Sequence, residues 1–509
     1  MTTGTADGAV DVDVAIVGGG PVGTLLACEL ALHGVRTTVL EKLPVPTDES
    51  KAGTLHARTA QTLHRRGLLD AVQPGPHRAG RTRHQHQPFH FGGIFQLDLA
   101  PVVDEPPALV GSPQAYAERV FARRATELGA RVRRGVEVVD VEDRGDRVTL
   151  SLRDTAGGTE RMDAAWVVGC DGARSTVRKQ SGIRFLGTPA TMSCLMGEVR
   201  LHQPHQVPAG WNRTERGWTI FWVNPHGHSR VGTYDFRGPH PDRHAPVTLE
   251  ELRAEAERIT GQPVPMGSPR WLSRFSDAAL QAEHYRSGRV LLAGDAAHVH
   301  FPAGGQGLNT GLQDAVNLGW KLAAEVAGWA PRGLLDTYHT ERHPVAAEVL
   351  YNVRAQVALM NPEPRTDALR ELFAQIMRVP EVNDYLAGMV SGTRIVYDAG
   401  RPDDPVAGRF VPDLPLKTDG PGAGSIAGLL HRARPVFLDL ADRADLRKAA
   451  EPWAGRVDVV AGRLEGGEAA VDGLLLRPDG YAVWSAAGTA EDARTLREAL
   501  RRWFGEPPR

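Results

Sequence analysis

Cysteine is scarce. Three occur in 509 residues, Cys28, Cys170 and Cys194, and no two share a paired spacing. That excludes a disulfide framework, a zinc site built on cysteines and a dithiol redox motif. Cys28 and Cys170 sit in apolar segments and read as core residues. Long apolar runs are missing too: none approaches the roughly 20 residues needed to span a bilayer. Residues 1–10 carry neither a basic region nor an apolar core of signal-peptide type, so a cytoplasmic protein without a membrane partner is expected. Net charge is nearly absent, with 59 Lys and Arg against 61 Asp and Glu. Nucleic acid is therefore excluded as the main partner. The short basic clusters Arg123-Arg124 and Arg131 to Arg134 read as solvated element ends. No repeat or low-complexity tract occurs. The length exceeds what one core supports and implies two or three domains.

The strongest positive signal is Gly18-Gly19-Gly20-Pro21-Val22-Gly23. It follows the apolar run Val12 to Val17 and precedes a helical stretch, and Glu41 closes the next apolar run. The order is strand, glycine turn, helix, strand, acid. Gly18 permits the tight turn, Gly20 lets the backbone approach a pyrophosphate, and Gly23 lets helix and strand pack closely. The helix N-terminus then offers free N–H groups and a partial positive charge. Glu41 lies 21 residues after Gly20 (41 − 20), near the spacing for an acid on a ribose hydroxyl.

Two further strand-end loops follow. The run from Trp166 to Val168 ends in Gly169-Cys170-Asp171-Gly172, and Arg289 to Ala293 ends in Gly294-Asp295. Next come Pro302-Ala303-Gly304-Gly305-Gln306-Gly307-Leu308-Asn309 and a helix over Leu312 to Val326. Three such loops suggest one extended ligand touched at several points. The set Gly18-x-Gly20-x-x-Gly23, Asp171-Gly172 and Gly294-Asp295 resembles the three fingerprints of FAD-dependent aromatic hydroxylases of the p-hydroxybenzoate hydroxylase type. The run from His300 to Thr310, continuing through Gln313-Asp314-Ala315 to Lys321, is similar to bacterial aromatic polyketide hydroxylases, notably the angucycline hydroxylases. So is Met389-Val390-Ser391-Gly392.

That resemblance, which spans nearly the whole chain, implies an α/β fold. A Rossmann-like FAD-binding domain is expected over 1–75, 110–179 and 276–390. A mixed β-sheet substrate domain takes 76–109 and 180–275. A thioredoxin-like C-terminal domain takes 400–509, and it has no cysteine, so a structural or dimerising role is expected there. A homodimer stays open. The implied cofactor is non-covalent FAD, with NADPH or NADH as a transient co-substrate and O2 as the oxidant. The implied chemistry is oxygen insertion into a multicyclic aromatic polyketide by way of a flavin C4a-hydroperoxide. Baeyer–Villiger ring opening and antibiotic-inactivating hydroxylation on the same scaffold remain as alternatives.

The resemblance also implies residue roles. Gly18, Gly20, Gly23 and Glu41 would hold the adenosine diphosphate end. Arg58 and Gln114 would approach the phosphate and ribityl region, and Asp171 and Gly172 would serve FAD and pyridine nucleotide. Gly294 and Asp295 would take the ribityl hydroxyls. Pro302, Gly304, Gly305 and Gly307 would run beside the isoalloxazine ring, with backbone N–H groups from Leu308 and Asn309 at its pyrimidine end. No acid–base dyad stands out, which fits chemistry carried by the cofactor. His84, His86 and His90 alternate with glutamines, but no carboxylate accompanies them, so they read as a polar or aromatic pocket wall and no metal is expected. Candidate substrate residues are Phe89, Phe91, Trp218, Trp222 and Tyr234, with Met192, Met196, Phe221 and Phe236 behind them. Strand alternation puts Trp218, Ile220 and Trp222 on one face and Phe221 on the other. Each aromatic taken singly fits a plain core equally well.

Overall fold

The computed structural model describes residues 10–50, 52–74, 88–105, 107–242, 245–418, 424–465 and 470–508. Its centre is an eight-stranded sheet whose middle strands are parallel. Val12–Val17 lies between Thr37–Glu41 and Thr159–Gly169, and Val290–Leu292 flanks the latter. These strands are almost wholly apolar because both faces are covered. Register aligns their ends: Val17 pairs with both Leu40 and Gly169, and Gly169 pairs with Leu292. The loops beginning at Gly18, Glu41, Cys170 and Ala293 therefore emerge side by side. Helix Pro21–Leu32 packs along helix Gln306–Val326, brought close by two glycines. A Cβ on Gly311 would lie 2.7 Å from Val22 and one on Gly319 2.4 Å from Glu29.

A second sheet has five antiparallel strands in the order Gly210–Thr214, Gly217–Trp222, Ser229–Asp235, Ser193–Leu201, Met266–Ser276. Helix Leu249–Thr260 buries Leu252 and Ala256 against Leu195, Val199, Phe221 and Val231 on one face. The helix starts at Thr248, whose hydroxyl accepts from Glu251 N–H, and stops at left-handed Gly261. The opposite face carries Trp218, Ile220 and Tyr234, which pack against Phe301 and Ala303 of the glycine loop. The segment before Val110 contains a hairpin, Pro88–Phe91 with Ile94–Asp98. It forms because Phe91, Ile94 and Leu97 bury together with Leu359, Met377 and Leu386.

The C-terminal unit is a third sheet in the order Leu416–Thr418, Asp458–Leu464, Val436–Asp439, Gly473–Leu476, Ala482–Ser485. Helices Ala444–Ala450 and Asp492–Phe504 cover it. Its core extends into the flavin-loop helix: Trp320 and Ala324 cluster with Phe437, Trp453, Trp484, Trp503 and Phe504. A buried charge cluster joins this unit to the preceding helices. Arg477 binds Glu341 at 2.6 Å and Asp479 at 2.5 Å, Lys321 binds Glu341 at 2.8 Å, and all four are buried. Arg65 and Arg66 reach across as well, donating to Val411 O, Leu430 O and Pro478 O. These ion pairs and backbone contacts bind the unit to helices Gln306–Val326 and Thr337–Met360 and to the end of helix Ala57–His64. No helix among the described residues is long and apolar enough to cross a membrane.

Candidate active site

The dinucleotide end is shaped by steric demands that only glycine meets. Gly18 has φ +110°, and a Cβ there would lie 2.3 Å from Cys170 O. A Cβ on Gly23 would lie 2.1 Å from Gly18 O. At Gly20, which begins helix Pro21–Leu32, a Cβ would meet nothing within 4 Å, and no side chain caps the helix. Uncapped N–H groups thus face open space, which suits a pyrophosphate. Glu41 accepts from Gly19 N–H at 2.7 Å and from Leu43 N–H at 2.9 Å. A carboxylate has about four acceptor positions, so capacity remains for ribose hydroxyls. This cradle fits FAD.

Gly294, at φ +61°, and Asp295 open a short 3-10 turn. Their position is fixed by a residue the sequence reading quoted but did not assign, Asp314. It accepts from Gly294 N–H at 3.1 Å, His298 Nε2 at 2.7 Å and Arg342 Nε at 2.8 Å, all buried. Burial alone would raise its pKa, but His298 and Arg342 outweigh that and hold it below the usual range. Arg342 continues to Thr310 O and to the Tyr397 hydroxyl. A Gly-Asp strand end followed 20 residues on by an acid in an apolar helix (314 − 294) is the signal that could have found it.

The glycine loop is strained in the sense glycine tolerates. Gly304 and Gly305 are both left-handed, at φ +72° and +65°. Gly305 begins helix Gln306–Val326 with no side-chain cap, six residues before the expected start at Leu312. The loop is stitched to strand Thr54–His56: Asn309 Oδ1 accepts from His56 N–H at 2.8 Å, and Asn309 Nδ2 donates to Thr54 O and Gly305 O. The Asn309 side chain therefore holds structure together. Pro302 is exposed, Gly307 and Leu308 are half-buried, and His300 Nε2 would lie 3.5 Å from a Cβ on Gly307.

Other expected cofactor residues make contacts within the chain. The Arg58 guanidinium stacks 3.8 Å over Phe410 and donates to Gln61, Gly392 O and Thr393 O. It lines one cavity with Gln306, Asn309 and Thr310. Asp171 is held by its own loop. Both its oxygens are engaged, by the Ser175 hydroxyl at 2.5 Å and by the Thr176 and Val177 N–H groups at 2.6 and 3.1 Å. It caps a short helix, and burial pushes its pKa up. Gly172 is left-handed, with open space where a Cβ would be. Gln114 donates its backbone N–H to Ala52 O, tying its helix to the segment before Thr54.

Beside the glycine loop the aromatic residues form a circuit. His56 meets Phe89 edge-on at 5.4 Å, Phe89 stacks on His90 at 5.0 Å, and His90 meets Trp211 at 5.4 Å. Trp211 stacks on Tyr234 at 5.3 Å, and Tyr234 meets Phe301 at 5.6 Å. Phe275 packs 6.0 Å from both Tyr234 and Phe301. Trp218 adjoins Trp211 and donates its Nε1–H to Met360 O at 2.6 Å. Met192 and Phe236 lie in the same cluster. Burial pushes His56, His90 and His300 each down to about 4, so all three are neutral at pH 7. It pushes the Tyr234 phenol up.

Three pocket expectations change. Phe91 is buried in a neighbouring core cluster, stacked on Phe373, and Phe89 packs against that cluster as well. Phe221 lies on the helix-covered face, as alternation required. Trp222 shares the face of Trp218 but ends its strand at the surface, 48% exposed beside Arg230. Trp211, Phe275, Phe301 and His56 were missed, since nothing local marks them. His84 and His86 lie outside the described residues. His90 belongs to the aromatic circuit, and no metal-binding group of three or more ligands occurs among the described residues.

Comparison with known proteins agrees with this arrangement. Residues 11–353 match the family described as FAD binding domain, and residues 404–507 match the aromatic-ring hydroxylase C-terminal family. The chain is 45% identical to a 12-dehydrotetracycline 5-monooxygenase/anhydrotetracycline 6-monooxygenase of Streptomyces rimosus, covering 97% of this chain and 99% of that protein. It is 42% identical to a rifampicin monooxygenase of Streptomyces venezuelae, with 97% and 98% covered. Among solved structures it resembles CabE, an aromatic hydroxylase from angucycline biosynthesis. Identity there is 39%, with 98% and 100% covered and a TM-score of 0.90.

Proposed function

Because the chain belongs to the FAD-dependent aromatic-ring hydroxylases and is an FAD-dependent monooxygenase, we propose that it oxygenates a multicyclic aromatic polyketide during antibiotic biosynthesis. The observation that carries this reading is the aromatic circuit from His56 to Phe301, which begins and ends on the glycine loop. Its ring faces suit a flat polycycle, and Tyr234, Trp218 and Phe301 form its buried part.

FAD, when bound, supplies electron transfer from NAD(P)H and activation of dioxygen. The chain supplies placement and electrostatics. The Gly18–Gly23 turn and the uncapped helix at Gly20 would hold the pyrophosphate, and Glu41 the ribose. Asp295, held in place through Gly294 and Asp314, would take ribityl hydroxyls. The uncapped N-terminus at Gly305 would favour negative charge on the reduced ring. A phenolic substrate brings its own electron-rich carbon, so no base beyond these groups is required.

A second reading, oxygenation of a finished antibiotic, is favoured by the rifampicin monooxygenase relative. The two are separated by aerobic turnover of the holoenzyme with NADPH or NADH under 18O2. The substrates would be anhydrotetracycline, a set of hydroxylated anthraquinones and rifampicin. One labelled oxygen in an aromatic polyketide supports the first reading. Turnover of rifampicin alone would replace it with the second, and peroxide without organic product from any of them would reject both.

A further inference from the structure

The site holds a buried acceptor that no donor among the described residues reaches. His56 is 1% exposed, and its Nε2 lies 2.7 Å from Gly304 O. A carbonyl oxygen only accepts, so Nε2 carries the proton and Nδ1 a lone pair. Nδ1 is buried without a hydrogen-bond partner among the described residues. Buried polar atoms normally have one, which makes a bound molecule the natural source of the donor.

The surroundings narrow what that molecule is. The His56 ring stands at the start of the aromatic circuit, against Phe89 and next to left-handed Gly304 and Gly305. Ring faces on Phe89, Trp211 and Tyr234 suit a flat apolar body. A lone pair on the same wall suits one hydroxyl at the edge of that body. His56 stays neutral across the physiological range, so the acceptor is always present.

We propose that His56 is a specificity-determining contact, its Nδ1 accepting a hydrogen bond from a ring hydroxyl of the polycyclic substrate. The interaction is a neutral O–H···N bond and transfers no proton. It rests on the substrate reading given above. His56 also donates to Gly304 O, so one imidazole sets the glycine loop and the substrate edge together.

The test uses oxidised, flavin-loaded protein and two probes, 2,6-dihydroxyanthraquinone and 2,6-dimethoxyanthraquinone, with affinity read by calorimetry and flavin content in the same samples. Wild type should bind the dihydroxy probe about tenfold more tightly. In His56→Leu the preference should fall to about twofold or less. His56→Gln, which can donate to Gly304 and still accept, should recover part of it and serves if the leucine variant fails to fold. An unchanged preference in both variants overturns the proposal, and so does a wild type that binds the two probes equally. Flavin loss with the preference intact assigns Nδ1 to the cofactor and also overturns it. A flavin-loaded wild type that binds neither probe rejects the substrate reading itself.

Discussion

Asp314→Asn is the most telling single change, because every partner of that carboxylate is a donor. Arg342 Nε reaches Oδ1, while Gly294 N–H and His298 Nε2 reach Oδ2. An amide must aim its NH2 at one of these sets, replacing a charge-assisted bond by two opposed donors. Arg342 is also fully buried and loses the carboxylate beside it. Breaking a buried pair in this way costs about 3–5 kcal/mol. At roughly 1.4 kcal/mol per decade, that is on the order of two to three and a half decades in the folding equilibrium. The loss should also reach the cofactor, since Gly294 N–H is one of the bonds removed and Asp295 follows it. The assay is urea unfolding by tryptophan fluorescence, paired with FAD titration of the apoprotein. A markedly lower midpoint together with weakened FAD binding is expected. A loss under about 1 kcal/mol with wild-type FAD affinity would refute the argument that this network supports the Gly294 strand end.

Gly305→Ala forces an L-residue to φ +65° and should cost about 1–2 kcal/mol; differential scanning calorimetry should show a lower Tm, with reduced flavin content on purification. Arg477→Met removes the shared partner of Glu341 and Asp479 and should loosen the C-terminal unit, seen as faster proteolysis after residue 400. Stability should fall as pH drops from about 6.5 to about 4. Over that range the unfolded histidines gain protons that buried His56, His90 and His300 refuse. His300→Gln should flatten that part of the unfolding-midpoint profile, and an unchanged slope would count against the buried neutral imidazole.

What the chain determined by itself is local. Glycines at 18, 20 and 23 between an apolar run and a helix dictate a turn that only glycine fits, and the steric contacts at Cys170 O and Gly18 O are its physical content. Apolar runs ending at Val17, Gly169 and Leu292 are long enough to pair in register, so three separated motifs already implied one ligand-binding edge. Alternation in Gly217–Trp222 separated Phe221 from Trp218. Which of these faces meets the glycine loop, and where the strand leaves the core, was decided by packing against helix Leu249–Thr260 and Phe301. Hence Trp222 reads as a pocket residue in sequence and stands at the surface in the fold. The partners of Arg58 were likewise decided by the fold. Its helix was legible, but a long side chain goes where partners converge, and Phe410, Gly392 and Thr393 lie more than 330 residues away in sequence. The circuit from His56 through Trp211 to Phe301 exists only because strands and loops from four parts of the chain meet, and no local pattern encodes a meeting.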